Sequence, residues 1–179
     1  MLLNISSQNS EIQNIDIMLK FKEFIGESNK KASYAAGVAI VWNNSILIVH
    51  PTGSSWVRPT CGIPKGGVNE GEDIMDAALR ELREETGIKL KPTDLLPEQH
   101  HVTMFSKKGD VKWTLFYYVC EIDDPSQIGL SSNKVPKSDL QLEEIDWAGF
   151  VPVEKAYTMV NQGQLILLDR HLEIRGRLL

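Results

Sequence analysis

Cysteine is scarce. Cys61 and Cys120 are the only two in 179 residues, and they lie far apart without the close Cys or His partners of a zinc site or a redox pair. That excludes a disulfide framework or thiolate metal centre as the organising feature, and two free thiols in a reducing cytosol are expected. Positive charge is also short: 19 Lys and Arg stand against 24 Asp and Glu, for a formal net charge of -5. Proteins that grip a long nucleic-acid backbone usually carry a basic balance or stripe, so long nucleic acid is not an expected partner. A small polyanion stays compatible, because a metal ion or a few Lys and Arg residues reverse the field inside a cleft. Long apolar runs are missing too. No stretch reaches the roughly 20 residues that cross a bilayer, and Met1 to Glu11 lacks the basic and apolar blocks of a secretory leader. A cytoplasmic protein without a membrane partner is the expectation, and the length fits one domain plus extensions.

What is present is patterned. From Glu11 to Ile25 the apolar residues Ile12, Ile15, Met18, Leu19 and Ile25 recur at helical spacing, which predicts an N-terminal amphipathic helix. Ala35 to Trp42 and Ser45 to His50 read as two strands of a hairpin turning at Asn43-Asn44. Pro51 to Pro64 is loop by composition. From Glu72 to Thr86 an apolar stripe of Ile74, Ala77, Ala78, Leu79 and Leu82 predicts a helix, with Gly87 at its stop. His101 to Ser106 and Val111 to Ile122 read as strands joined by a turn at Lys107 to Asp110, and Asp123 to Asp139 as loop. A strand around Glu144 to Phe150 precedes helices at Val153 to Val160 and Gln164 to Glu173.

The chemistry concentrates between Gly66 and Ile88. The segment fills the pattern G-x5-E-x7-R-E-U-x-E-E-x-G-U, where U is a bulky apolar residue, at every specified position: Gly66, Glu72, Arg80, Glu81, Leu82, Glu84, Glu85, Gly87 and Ile88. Glu81, Glu84 and Glu85 stand at i, i+3 and i+4, so on a helix their carboxylates project from one side and can converge on a hard divalent cation. Oxygen donors suit Mg²⁺ or Mn²⁺ rather than zinc. Without the pattern around them, these acids would read as a solvated helix face. Gly66 and Gly67 carry no side chain to block a close backbone approach. Lys65 beside them reads either as a phosphate contact or as a surface lysine.

The complete pattern resembles the signature of the Nudix hydrolases, and the strand order from about Ala35 to Val160 fits it loosely. The resemblance implies an α/β fold of the α+β sandwich type, with a mixed β-sheet flanked by helices, over 34–179, and leaves 1–33 as a helical extension. It further implies Mg²⁺-dependent hydrolysis of a diphosphate bond in a small phosphorylated substrate, with Mn²⁺ as a substitute ion. Metal ligands would be Glu81, Glu84, Glu85 and the Gly66 carbonyl. Glu81 and Glu84 are also candidates for the catalytic machinery, Lys65 and Gly67 for substrate contact, and Glu72, Arg80 and Gly87 for bracing loop and helix. The family draws its general base from different places, and Glu143 and Glu144 are the candidates outside the motif. Ile63 to Gly67 and Lys112 to Tyr118 are similar to the dinucleoside polyphosphate and diphosphoinositol polyphosphate branch; Cys61 stands where the family often has an aromatic residue.

Cleavage of ADP-ribose or another nucleotide sugar, of nucleoside triphosphates, or of RNA 5′ ends are the alternatives within the enzyme class, and a nucleotide-binding Nudix-like module is the alternative outside it. A second copy of the chain is a candidate partner. His100 and His101 read as one packed and one solvent-facing residue of a strand. Trp56, Trp113, Phe116, Tyr117 and Tyr118 read as core or cross-strand packing, with stacking on a nucleobase as the lesser alternative. The C-terminal Arg170, His171, Arg175 and Arg177 read as a solvated helix end.

Overall fold

The computed structural model describes residues 33–105 and 111–169. The expected N-terminal helix, the turn at 107–110 and the basic C-terminal run lie outside the described residues. β1 (Ser33–Trp42) and β2 (Ser45–Pro51) form the expected hairpin, with Val41 opposite Ile46 and Trp42 opposite Ser45. Asn43 and Asn44 take φ of 42° and 59°, the left-handed pair that a two-residue hairpin turn requires and that Asn tolerates better than most residues.

Strands β4 (His100–Phe105), β5 (Val111–Ile122) and β6 (Ile145–Pro152) complete the sheet with β3 (Lys65–Gly67). The mixed six-stranded sheet has the order β4-β5-β1-β2-β6, and β3 pairs with β1. β3 begins directly after the stretch expected to be loop, Pro51 to Pro64. Two of its three residues are glycines, so no alternation could announce a strand; what makes it one is antiparallel pairing of Lys65, Gly66 and Gly67 with Gly37, Ala36 and Ala35.

Both faces of the sheet are covered, which is why β1 and β2 read as nearly unbroken apolar runs. Val38, Ile40, Leu47 and Val49 pack toward α1 (Ile74–Thr86), against Ala77, Ala78 and Leu82. The alternate residues Ala39, Val41, Ile46 and Ile48 pack toward α2 (Val153–Met159), against Val153 and Ala156, with Leu167 and Leu168. The last two belong to a helical stretch at 165–169, whose expected continuation lies outside the described residues. Asp123 to Asp139, expected to be loop, contains two 3-10 turns, Pro125–Ile128 and Lys137–Asp139. Ile128, Leu130, Val135 and Leu140 insert into the core on the α1 side. Their spacing follows the surface they cover and not a helix or strand period, so no pattern marked them.

Helix α1 is fixed at both ends. Asp73 accepts the Met75 N–H at 2.8 Å, as a good N-cap does. Gly87 takes φ 71° and donates its N–H to Arg83, the left-handed stop that a Cβ would strain. Among the described residues no helix is long and apolar enough to cross a membrane.

Candidate active site

Arg80 organises the motif. Its Nε and Nη2 donate to the two oxygens of Glu72 at 2.7 and 2.9 Å, and Nη2 also donates to the Gly67 carbonyl at 2.8 Å. Glu72 in turn accepts the Asn69 N–H at 2.9 Å. The loop of 67–73 is thereby tied to the helix by a bidentate, charge-assisted clamp, the bracing role expected of Glu72 and Arg80. The guanidinium holds the Glu72 carboxyl down at about 2, and the same contacts, with Glu72 first among them, push Arg80 further into the charged form.

The three motif glutamates share a side of α1 but not an environment. Glu84 is 44% exposed and meets Arg80 Nη1 at 3.0 Å. Glu81 is 12% exposed and meets the same nitrogen at 2.7 Å; burial pushes its carboxyl above the ordinary range, with Arg80 opposing and the charges of Glu84 and Glu144 adding to the rise. Glu85 is buried, 4% exposed, and burial raises its carboxyl to about 8; Lys65 opposes this, and Glu81 and Glu144 add to it. The Lys65 N–H donates to Glu85 Oε2 at 3.1 Å. The solvated face expected of such a charge run on its own is therefore confined to Glu84 and Arg83.

Gly66 lies against this cluster: a Cβ there would overlap the Glu81 carboxylate. Because that carboxylate is the end of a flexible chain, Gly66→Ala should leave the melting temperature nearly unchanged while swinging Glu81 out of place. Turnover should fall about a hundredfold, the scale of an ångström-sized misplacement. Parallel thermal melts and activity assays check this, and wild-type turnover would show that the position of Glu81 is immaterial.

A cleft of about 210 Å³ opens beside Glu85, lined among others by Lys65, Glu144, Thr60, Asn161 and Gln164. Of the two candidate bases, Glu144 lines this cleft. Glu143 is exposed and does not. Thr52 N–H donates to the Glu144 carbonyl at 2.7 Å, which ties that residue to the end of β2. Gln164 is 1% exposed; its Oε1 accepts the Ile63 N–H at 2.9 Å, and its Nε2 has no hydrogen-bond partner among the described residues. Sequence reasoning missed Gln164 and Asn161, because neither belongs to a pattern and both reach the cleft only through packing.

Sequence reasoning also missed His50. It is fully buried, and its Nδ1 meets Asp146 Oδ1 at 2.6 Å, a partner 96 residues away. Trp56 lies on the His50 ring, with centroids 3.6 Å apart and planes within 7°. Trp56 is 57% exposed, which corrects its assignment to core packing. Tyr117 and Tyr118 are buried as expected. His100 is half-buried and stacks on Tyr117, while His101 is exposed, the division expected of adjacent strand residues.

The donor set fits a hard dication by its chemistry: oxygen groups only, two of them desolvated carboxylates that hold their protons above the ordinary range, facing a third at Glu144. Among the described residues no three acidic, His or Cys groups form a ready cage. Arg80 occupies Glu81 and Glu84, and the Lys65 backbone occupies Glu85.

The NUDIX domain family description matches residues 31–170. Nudix hydrolase 10 of Arabidopsis thaliana is 35% identical over 89 residues, covering 49% of this chain and 28% of the relative. The asymmetrical bis(5′-nucleosyl)-tetraphosphatase of Caenorhabditis elegans is 32% identical over 68 residues, 38% of this chain and 49% of the relative. The chain thus spans less than half the length of either. Among solved structures, the C. elegans Ap4A hydrolase binary complex superposes with a TM-score of 0.57 at 21% identity, covering 81% of this chain and 98% of that one, a likeness of fold.

Proposed function

The chain belongs to the Nudix family, and from that premise we propose that it hydrolyses a diphosphate bond in a small phosphorylated molecule with the help of a divalent cation. The observation that carries this reading is the buried Glu85 carboxyl at one cleft with Glu144 and Lys65, with a second desolvated carboxyl, Glu81, one turn earlier on the same helix. The names of the relatives support it: one acts as a bis(5′-nucleosyl)-tetraphosphatase, and an RNA pyrophosphohydrolase of Dinoroseobacter shibae is 48% identical over 40 residues. We place the catalytic domain at 34–179 and treat 1–33 as an extension; the family match begins at residue 31.

Glu81, Glu84, Glu85 and the Gly66 carbonyl would hold the ion, Mg²⁺ by preference and Mn²⁺ as substitute. When bound, it supplies charge neutralisation at the diphosphate oxygens and a more acidic water. Lys65 lines the cleft and contributes a point charge to a phosphate oxygen. Gly67, exposed on β3, lets the phosphate chain come close to the backbone. Glu144 takes the proton of the attacking water, the role its exposed carboxylate at the cleft rim can fill. Arg80 keeps Gly67 and the 67–73 loop in register with α1 throughout.

The deciding experiment is a panel of diadenosine polyphosphates, ADP-ribose, nucleoside triphosphates, diphosphoinositol polyphosphates and 5′-triphosphorylated RNA, each with Mg²⁺ or Mn²⁺ and with products resolved. Cleavage within the phosphate chain of at least one member is the expected result. If every member were bound or ignored without cleavage, the protein would be a binding module instead of an enzyme.

A further inference from the structure

Gln164 closes the 3-10 turn Gln162–Gln164, yet only 1% of it reaches water. Backbone bonds fasten this turn to the segment ahead of β3: the Cys61 N–H donates to the Met159 carbonyl and the Asn161 N–H to the Cys61 carbonyl, each at 2.9 Å. That anchorage presses the carboxamide against Gly62, where a Cβ would stand 2.6 Å from Nε2 and 2.8 Å from Oε1. Oε1 accepts the Ile63 N–H at 2.9 Å. A backbone N–H can only donate, so the carboxamide oxygen must face Ile63 and its NH₂ group must face away. Nε2 is buried and meets no acceptor among the described residues. Packing does not require it, since a methionine of similar length would fill the space without a desolvated donor.

The residue belongs to the floor of the cleft. Gly62, Ile63, Glu85 and Gln164 line it and are buried, whereas Lys65 and Glu144 line it and are more exposed. At about 210 Å³ the cleft is smaller than the roughly 300 Å³ at which whole small-molecule sites begin, so it admits one part of a substrate. An ammonium and an NH₂ group at one cleft call for a group rich in acceptor oxygens. We propose that Gln164 is a substrate-binding residue whose Nε2 donates to a non-bridging oxygen of the phosphate chain, beside Lys65. The proposal rests on the diphosphate reading above and deepens it: the cleft takes phosphate, and the organic part of the substrate lies outside it. A neutral donor suits the place, because it holds an oxygen without adding a second cation to compete with the metal ion for Glu85.

Two measurements on the full chain test this. Methylenediphosphonate, a non-hydrolysable diphosphate without an organic group, is titrated with Mg²⁺ into wild type and Gln164→Met, following binding heat. Mn²⁺ alone is titrated into both proteins, following its electron paramagnetic resonance signal. The diphosphonate should bind the variant roughly ten- to hundredfold more weakly, the worth of one hydrogen bond to a charged group, and Mn²⁺ alone should bind both proteins alike. Equal diphosphonate affinity in the two proteins would overturn the proposal, as would an equal loss for Mn²⁺, which would mark Gln164 as a brace of the Ile63 segment. The second measurement needs no variant: in proton–nitrogen spectra of wild type, the assigned Gln164 NH₂ signals should move on addition of the diphosphonate with Mg²⁺, beyond any change caused by Mg²⁺ alone. Signals that stay in place would show that a buried water, and not phosphate, meets Nε2. Failure of the diphosphonate to bind wild type would instead refute the diphosphate reading, and this assignment with it.

Discussion

Glu84→Gln is expected to abolish divalent-cation-dependent hydrolysis, a loss of roughly a thousandfold or more, in a protein that folds as before. The two halves of that expectation come from the same observation. Glu84 is 44% exposed and meets the Arg80 guanidinium, itself already held by both oxygens of Glu72 and by the Gly67 carbonyl. Removing one charge from such a partly exposed pair costs within about 1 kcal/mol of stability, and Gln keeps an oxygen for Arg80. Any large loss of turnover therefore reports chemistry and not unfolding. Kinetics with the substrate found by the panel, beside urea denaturation, check it. Normal turnover in a stable variant would show that Glu84 holds no ion.

Glu85→Gln should have the opposite structural consequence. The folded Glu85 carboxyl titrates at about 8 because burial disfavours its charge, against an ordinary value of 4.5. Between those pH values the folded chain keeps a proton that the unfolded chain releases, so rising pH favours unfolding. In chelator, wild-type stability should fall from pH 5 to pH 8, by a few kcal/mol in order of magnitude. Gln accepts the Lys65 N–H without a charge, so the variant should lose most of that slope and be more stable than wild type at pH 8. It should also lose divalent-cation-dependent turnover. Excess Mg²⁺ should flatten the wild-type curve and leave the variant unmoved. Urea denaturation across the pH range decides: parallel curves for the two proteins would mean that Glu85 is not the desolvated acid of this site.

The motif helix was the most legible part of the chain. Its apolar stripe, its acids at i, i+3 and i+4 and its glycine stop are local features, set within a few residues of one another, and the Asn43-Asn44 hairpin turn is equally local. Which of Glu143 and Glu144 lines the cleft was not legible. The two are neighbours of the same chemistry, and only the 2.7 Å bond from Thr52 to the Glu144 backbone, together with the course of β6, brings one of them to the cleft. The His50–Asp146 pair joins residues 96 positions apart, through strands that pair only once the sheet has formed. Trp56 looked like core because aromatic residues usually are; its exposure follows from the shape of a loop tied to Leu142, Glu144 and Thr60.

The sequence by itself determined the family, the helix that carries the acids and the kind of ion those acids suit, because each is written in residues a turn or two apart. The tertiary structure alone decided how buried each acid is, and so which of Glu81, Glu84 and Glu85 resists ionisation. It also decided that Arg80 clamps the loop through Glu72 and Gly67, and that Trp56 lies half in water on the buried ring of His50. Burial and long-range pairing are properties of surfaces brought together by folding, and no spacing along the chain encodes them locally.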